Sequence, residues 1–356
     1  MELKMLEGAK VMHTKPQIKK LQMYVPGKSM DGYIKLSSNE NPFGASPKVH
    51  EAVANFKTFE RYPDGSSIKL KVEVAKFLDV GKDQLIFGAG GDEVIQMISR
   101  SVLSPGDNII QAFPTFSQYK HHAIIEGAEI QNIPLQNGVH DLDGMLTAVN
   151  EKTKIIWICN PNNPTGTYVN KKSLCNFLDS VPVNVLVAID EAYVEYASAT
   201  DFPDTLAMIA KYPNLVILRT LSKVYGLASF RIGYGIGNPE FIRDLEVGRL
   251  PFNTSTIAQE VALAALTDQD FVEKSIAANI AGLAQYTHFL DSNDIPYYPS
   301  QANFIFIPST YGVQITAKLM DAGYIIRSLH PLGIRITIGK TEDNNAIIAC
   351  LKENLY

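Results

Sequence analysis

Val216-Ile-Leu-Arg-Thr-Leu-Ser-Lys-Val-Tyr-Gly-Leu-Ala-Ser-Phe-Arg-Ile-Gly-Tyr234 continues an apolar segment of strand type, Leu215 to Leu218, into a polar turn carrying Ser222 and Lys223. Glycines at 226, 233 and 235 let backbone pass close to a neighbour, and Arg231 follows the lysine by eight residues. A lysine among apolar and small residues loses hydration, which lowers its pKa and makes the amine nucleophilic towards a carbonyl. The hydroxyl and the guanidinium beside it can grip an anion. The same residues would also serve as a strand, a turn and a surface lysine.

Working outward, four more short apolar runs end in polar loops. Leu85-Ile-Phe87 leads to Gly88-Ala-Gly-Gly-Asp-Glu93 and a helical Val94 to Val102. Ile109 to Phe113 ends at Pro114-Thr-Phe116, Ile155 to Cys159 at Asn160-Pro-Asn-Asn-Pro-Thr-Gly166, and Val185 to Ile189 at Asp190-Glu-Ala-Tyr193. Nearly all-apolar strands separated by helical segments indicate an α/β fold with a mostly parallel sheet covered on both faces. In such sheets ligands bind beyond the carboxyl ends of the strands. Four of the five runs deliver chemistry to that rim. After Asn238-Pro239 the pattern changes to an α+β tail. It has helices over 240–250 and 258–290 (the latter long enough for two), strands over 303–307, 324–327 and 334–338, and helices over 313–321 and 343–354. The N-terminal 45 residues read as irregular, followed by helices opening at Ser46-Pro47 and spanning Ser67 to Leu78.

Composition narrows the class. With 356 residues, 46% apolar and 19% charged, the chain can bury a large core, enough for two domains. A net charge of −5 argues against a nucleic-acid partner. Three widely spaced cysteines fit reduced thiols in the cytoplasm. Seven histidines without metal-ligand spacing predict no metal site, and no apolar stretch reaches the length of a membrane span.

Individual motifs each carry two readings. Gly88-Ala-Gly-Gly-Asp92 opens a helix whose free N–H groups can bind phosphate, or is a packed turn; it lacks the dinucleotide fingerprint. Asp190, ending a buried strand, needs a partner such as a protonated ring nitrogen, or caps the next turn. The two prolines of the 160–166 loop fix amides that could donate to a phenolate-type oxygen, or simply make a turn. Phe116 is core or a flat face for a heteroaromatic ring. Arg327 and Arg335 flank one short connection and suit a dianionic group, or form surface ion pairs.

Together, Asn-Pro-Thr-Gly after one strand, Asp-x-x-Tyr after the next and Ser-Lys with Arg eight residues on after the third resemble the fold-type I pyridoxal-phosphate aminotransferases. Leu36-Ser-Ser-Asn-Glu-Asn-Pro-Phe-Gly44, Arg61-Tyr-Pro-Asp64, Pro114-Thr-Phe116 and Gly333-Ile-Arg-Ile-Thr-Ile-Gly339 look like those of the histidinol-phosphate aminotransferase family within them. The resemblance covers residues 24–339 and implies a seven-stranded, mostly parallel sheet. It divides the chain into a large cofactor-binding domain over 46–245 and a small domain formed by 246–356 with the N-terminal arm 1–45.

The resemblance also implies roles. Lys223 would form the Schiff base with pyridoxal 5'-phosphate and then shuttle a proton. Asp190 would pair with the ring nitrogen, and Tyr193 and Asn163 would hold the ring oxygen. Phe116 would stack on the ring. Ser222, Arg231 and the backbone of Gly90, Gly91 and Asp92 would bind the cofactor phosphate, joined by Tyr62 from a second subunit of a homodimer. Arg327 and Arg335 would take substrate phosphate or the carboxylate of glutamate. Tyr24 and Asn41 would line the mouth, with Asn303 on the substrate side. The implied reaction interconverts histidinol phosphate plus 2-oxoglutarate with imidazole-acetol phosphate plus glutamate. Transamination of aromatic amino acids, threonine-phosphate decarboxylation and non-catalytic phosphate binding are the alternatives.

Overall fold

In the computed structural model, residues 14–354 apart from Tyr24 and Pro26 are described. A short strand, β1 (Ile34–Lys35), precedes helices α1 (Pro47–Asn55) and α2 (Ile68–Leu78). Strands and helices then alternate: β2 (Leu85–Gly88), α3 (Gly91–Val102), β3 (Asn108–Phe113), α4 (Gln118–Glu126), β4 (Glu129–Pro134), α5 (Leu142–Thr147), β5 (Thr153–Cys159), α6 (Lys171–Ser180) and β6 (Leu186–Asp190). β7 (Leu215–Thr220), β8 (Gly233–Gly237) and α7 (Pro239–Gly248) complete this part.

The strands form one seven-stranded sheet in the order β2-β8-β7-β6-β5-β3-β4. Pairings from β7 through β4 are parallel, and β8 runs antiparallel to both its neighbours. Alternation along each strand divides two cores. Ile156, Ile158, Val187, Ile189 and Ile217 face a cluster completed by α2 and α6, through Leu70, Val74, Leu174 and Phe177. Ile155, Trp157, Ala188, Val216 and Leu218 face the other, completed by α3, α4 and α7 through Ile95, Ile98, Tyr119, Ile242 and Leu245. Both faces are therefore covered, as the continuous apolar runs require. Several elements were not anticipated from sequence, β1 within the N-terminal stretch read as irregular among them. β4 (Glu-Ile-Gln-Asn-Ile-Pro) keeps no strict alternation and is half exposed, α4 before it has no continuous apolar face, and β8 reads Gly-Tyr-Gly-Ile-Gly. β8 is nonetheless fully buried, because a side chain at Gly233 would meet the backbone of α3 (2.6 Å to Gly91 N).

The rest of the chain supplies α8 (Thr256–Leu266), α9 (Gln269–Ser292), β9 (Phe304–Pro308), α10 (Gly312–Asp321), β10 (Tyr324–Ile325), β11 (Arg327–Ser328), β12 (Gly333–Thr337) and α11 (Thr341–Asn354). The expected helical stretch 258–290 is two helices, α8 and α9. A three-stranded antiparallel sheet, β11-β12-β9, carries a third core of Ile305, Ile307, Ile334, Ile336, Tyr286 and Leu290. β1 pairs with β10 in a separate two-stranded parallel sheet, tying the N-terminal segment to the chain just before β11. The expected domain division at 245/246 falls inside α7. The inner face of α8 (Ala258, Val261, Ala262, Ala265) packs into the large sheet's core, so α8 groups with that sheet. α9 bridges the two regions, with Val272 in the large core and Tyr286, Phe289 and Leu290 in the small one.

Candidate active site

The parallel strands β5, β6 and β7 end side by side, and their register sets Cys159 next to Asp190 and Asp190 next to Leu218. Their following loops supply Asn163, Tyr193 and Lys223. All of these side chains open on one cavity of about 520 Å³ at the carboxyl rim of the sheet. The lysine and the carboxylate expected to work on one ring thus share one pocket.

Asp190 is buried, at 7% exposure. Its Oδ2 accepts a hydrogen bond from the Tyr119 hydroxyl at 2.6 Å, and its Oδ1 accepts from the Ala192 N–H at 3.1 Å. Burial pushes its carboxyl up to about 6, against the opposing influence of the Tyr119 and Ala192 donors. Across the cavity the Lys223 amine donates to the Ser38 carbonyl at 3.2 Å. Burial, reinforced by the Arg335 guanidinium, pulls this amine down to about 8. Neighbouring Cys159 is pushed up to about 12 by burial and then by Asp190, so it stays a neutral thiol.

One side of the cavity is built to hold an anion. Gly91 and Asp92 start α3, presenting free N–H groups. Gly90, at φ +82°, allows the Arg231 guanidinium to lie where a side chain would otherwise collide with it. Arg231 itself adopts a left-handed φ of 54°, and its Nη2 lies 3.3 Å from Asp92 Oδ2. Ser222 Oγ accepts from Thr220 Oγ1 at 3.0 Å, which leaves its own proton to donate towards the cavity.

The opposite side is cationic as well. Arg327 and Arg335 are direct cross-strand partners on β11 and β12, and both line the cavity. Arg335 donates to Asn163 Oδ1 and to the Ser37 carbonyl, each at 2.6 Å, and Arg327 donates to the Val25 carbonyl at 3.3 Å. The Tyr193 hydroxyl accepts from Asn163 Nδ2 at 3.3 Å and from Asn39 Nδ2 at 2.9 Å. Phe116 forms part of the wall.

Three anticipated residues lie elsewhere among the described residues, and a fourth lies outside them. Asn41 is directed away from the main cavity: its amide donates to the Val224 carbonyl at 2.7 Å and to Ser275 Oγ at 3.1 Å, fastening the N-terminal loop to the lysine turn. Asn303 donates to the Asn39 carbonyl at 3.0 Å and so acts one residue removed from the cavity. Tyr62 stacks on Phe252 at 4.7 Å, 82% exposed and outside its own chain's cavity. Tyr24 lies outside the described residues. The sequence reading missed Tyr119 and Asn39. The first sits on the unanticipated α4. The second lies within the Leu36–Gly44 motif, and its φ of 56° marks a backbone held in a special conformation.

The profile of the class I and II aminotransferases matches residues 31–350. The chain belongs to that family. It is 53% identical over 358 residues to histidinol-phosphate aminotransferase 1 of Bacillus cereus, covering 96% of both chains. It is likewise 53% identical over 357 residues to the enzyme of that name from Bacillus anthracis. Among solved structures, histidinol-phosphate aminotransferase from Sinorhizobium meliloti in complex with pyridoxal-5'-phosphate superimposes with a TM-score of 0.89 at 26% identity, covering 97% of this chain and 98% of that one.

In this aminotransferase the buried carboxylate opposes folding until something cationic meets it. The folded Asp190 carboxyl, at about 6, lies above the ordinary 3.8, so ionisation is disfavoured in the native state. The cost is nearly absent at low pH and complete above pH 7. Asp190→Asn should therefore stabilise the cofactor-free protein by about 2–3 kcal/mol at pH 8, falling to under about 1 kcal/mol at pH 4. Thermal melts across pH measure this; equal stability of the two proteins at pH 8 would contradict it.

Proposed function

We propose that this aminotransferase uses pyridoxal 5'-phosphate to exchange amino groups between histidinol phosphate and 2-oxoglutarate, a step of histidine biosynthesis, in two half-reactions through one site. The observation carrying this reading is the single cavity that joins the lowered Lys223 amine, the buried Asp190 carboxylate and two separate cationic ends. The residues present fit the cofactor. Asp190 is a buried acid whose two donors, the Tyr119 hydroxyl and the Ala192 N–H, leave lone pairs facing the cavity, and the α3 start with Ser222 and Arg231 forms a cradle of N–H, O–H and guanidinium donors. Bound there, pyridoxal phosphate supplies an aldehyde for an amine and a protonated ring that withdraws electrons from the substrate carbon.

The chain's own residues divide the remaining work. Lys223, at about 8, gains and loses a proton readily near neutral pH, as a group moving a proton at a carbon centre must. Asp190 would hold a proton on the ring nitrogen by ion pairing. Tyr193 and Asn163 would present hydroxyl and amide groups to the ring oxygen, and Phe116 would pack against the ring face. Arg327 and Arg335 supply fork geometry for either a phosphate or a carboxylate, which suits a site that must accept histidinol phosphate in one half-reaction and glutamate in the other. The name shared by the Bacillus relatives supports this substrate pair.

We further infer a homodimer in the cytoplasm. Tyr62, 82% exposed, stacks on the exposed ring of Phe252, and a second copy would cover this pair and draw Tyr62 to the neighbouring cavity. Cys159 and Cys175 are free thiols, as a reducing compartment permits. Light scattering should give twice the chain mass, and a monomer at micromolar concentration would refute the dimer. Fractionation that found the protein secreted would refute the compartment.

The function is tested by assaying the purified protein with histidinol phosphate, phenylalanine and threonine phosphate. Histidinol phosphate should be turned over fastest, with 2-oxoglutarate as amino acceptor. Preference for phenylalanine, or carbon dioxide release from threonine phosphate, would replace this reading. Lys223→Ala should retain the cofactor through its phosphate contacts while turnover drops by at least about 10⁴-fold. Near-normal turnover would remove the lysine from the mechanism.

A further inference from the structure

Tyr119, on α4 just past Phe116, is completely buried and has no part in the roles assigned above. Its ring stacks flat on Trp157 of β5, with centroids 4.6 Å apart and planes at 5°, and meets Phe116 edge-on at 5.6 Å and 78°. The two rings fix the phenol's direction, and the hydroxyl ends 2.6 Å from Asp190 Oδ2. With the Ala192 N–H on Oδ1, each carboxylate oxygen carries one donor, and the carboxylate cannot rotate without losing both.

We propose that Tyr119 is a positioning residue for Asp190: clamped between Trp157 and Phe116, its phenol keeps the carboxylate ionised and turns its remaining lone pairs towards the cavity. What Asp190 then does there rests on the pyridoxal-phosphate reading; the grip itself does not. The groups bearing on Asp190 are Tyr119 from α4, Cys159 from β5, Asp92 from α3, Lys223 from the turn after β7 and Tyr193 from the turn after β6. Of the groups that favour the charged carboxylate, Tyr119 is the strongest. Its own acidity is suppressed well below that of an ordinary phenol, first by burial and then by Asp190, so it stays a donor where Asp190 ionises. Cys159 gives no comparable support, since its thiol is directed to the Pro161 carbonyl at 3.4 Å.

Tyr119→Phe keeps the ring stack and removes only the oxygen. Thermal melts of cofactor-free wild type, Tyr119→Phe, Asp190→Asn and the double variant across pH separate positioning from simple core packing. Loss of the donor raises the Asp190 pKa further. The stability gap between wild type and Tyr119→Phe should therefore be small at pH 5 and widen by about 2–4 °C by pH 8. In the Asp190→Asn background the same gap should not change with pH. A gap of constant size with Asp190 present would overturn the proposal and leave Tyr119 as core filling. In the cofactor-loaded protein, kcat should fall about tenfold or more with KM changed less than about twofold, and the absorbance–pH curve of the bound cofactor should shift. An unshifted curve would equally overturn it. A wild type that binds no cofactor would end the aminotransfer reading, while the pH-dependent gap would still decide the role of Tyr119.

Discussion

Taking an amine and a carboxylate out of water costs several kcal/mol each, and the fold places both in one cavity at the ends of neighbouring parallel strands. The cost is visible in their acidities: Lys223 is drawn down to about 8 and Asp190 is pushed up to about 6, each mainly by burial. Neither value would help a structural ion pair, which would move both groups the other way. Both suit a site waiting for a ring that offers an aldehyde to the one and a basic nitrogen to the other. The seven-stranded sheet is the means of holding them, because strand register, which the two buried faces enforce, fixes where β6 and β7 end.

A second constraint is the crossing of the N-terminal loop. Ser37 accepts from Arg335, Ser38 accepts from Lys223, and Asn39 bonds Tyr193, Thr337 and Asn303. Asn41 reaches the Val224 carbonyl, and Gly226, at φ +71°, has no room for a side chain against the Gly44 carbonyl. The loop thereby locks the lysine turn to the small sheet. Arg327 and Arg335, on β11 and β12, are held at the cavity by the Val25 and Ser37 carbonyls of the same N-terminal segment.

Much of this was legible in the chain. The strands with chemistry at their ends were continuous apolar runs, as a doubly covered sheet requires, and Asp190 at the end of β6 meets Asn163 and Lys223 from the loops after β5 and β7 in one cavity. Arg327 and Arg335 were legible as a pair flanking a short connection, and the register makes them cross-strand neighbours. What escaped notice depends on packing rather than periodicity. β8 is three glycines in five residues, and its burial follows from backbone approach to α3. β4 lies at the sheet edge, where alternation is weak. Tyr119 sits on a helix without a continuous apolar stripe, so nothing in its spacing announced a contact 71 positions away in sequence. Asn41 was given a place at the mouth because of its motif, yet its amide serves the loop that holds the lysine turn.

The most direct test of the shared cavity is reductive trapping. Protein loaded with pyridoxal phosphate is reduced with borohydride, digested, and the modified peptide sequenced by mass spectrometry. The account predicts that the pyridoxyl group is fixed to Lys223, with little label when Asp190 and the Ser222–Arg231 cradle are both removed. Label on another lysine, or on none, would contradict it.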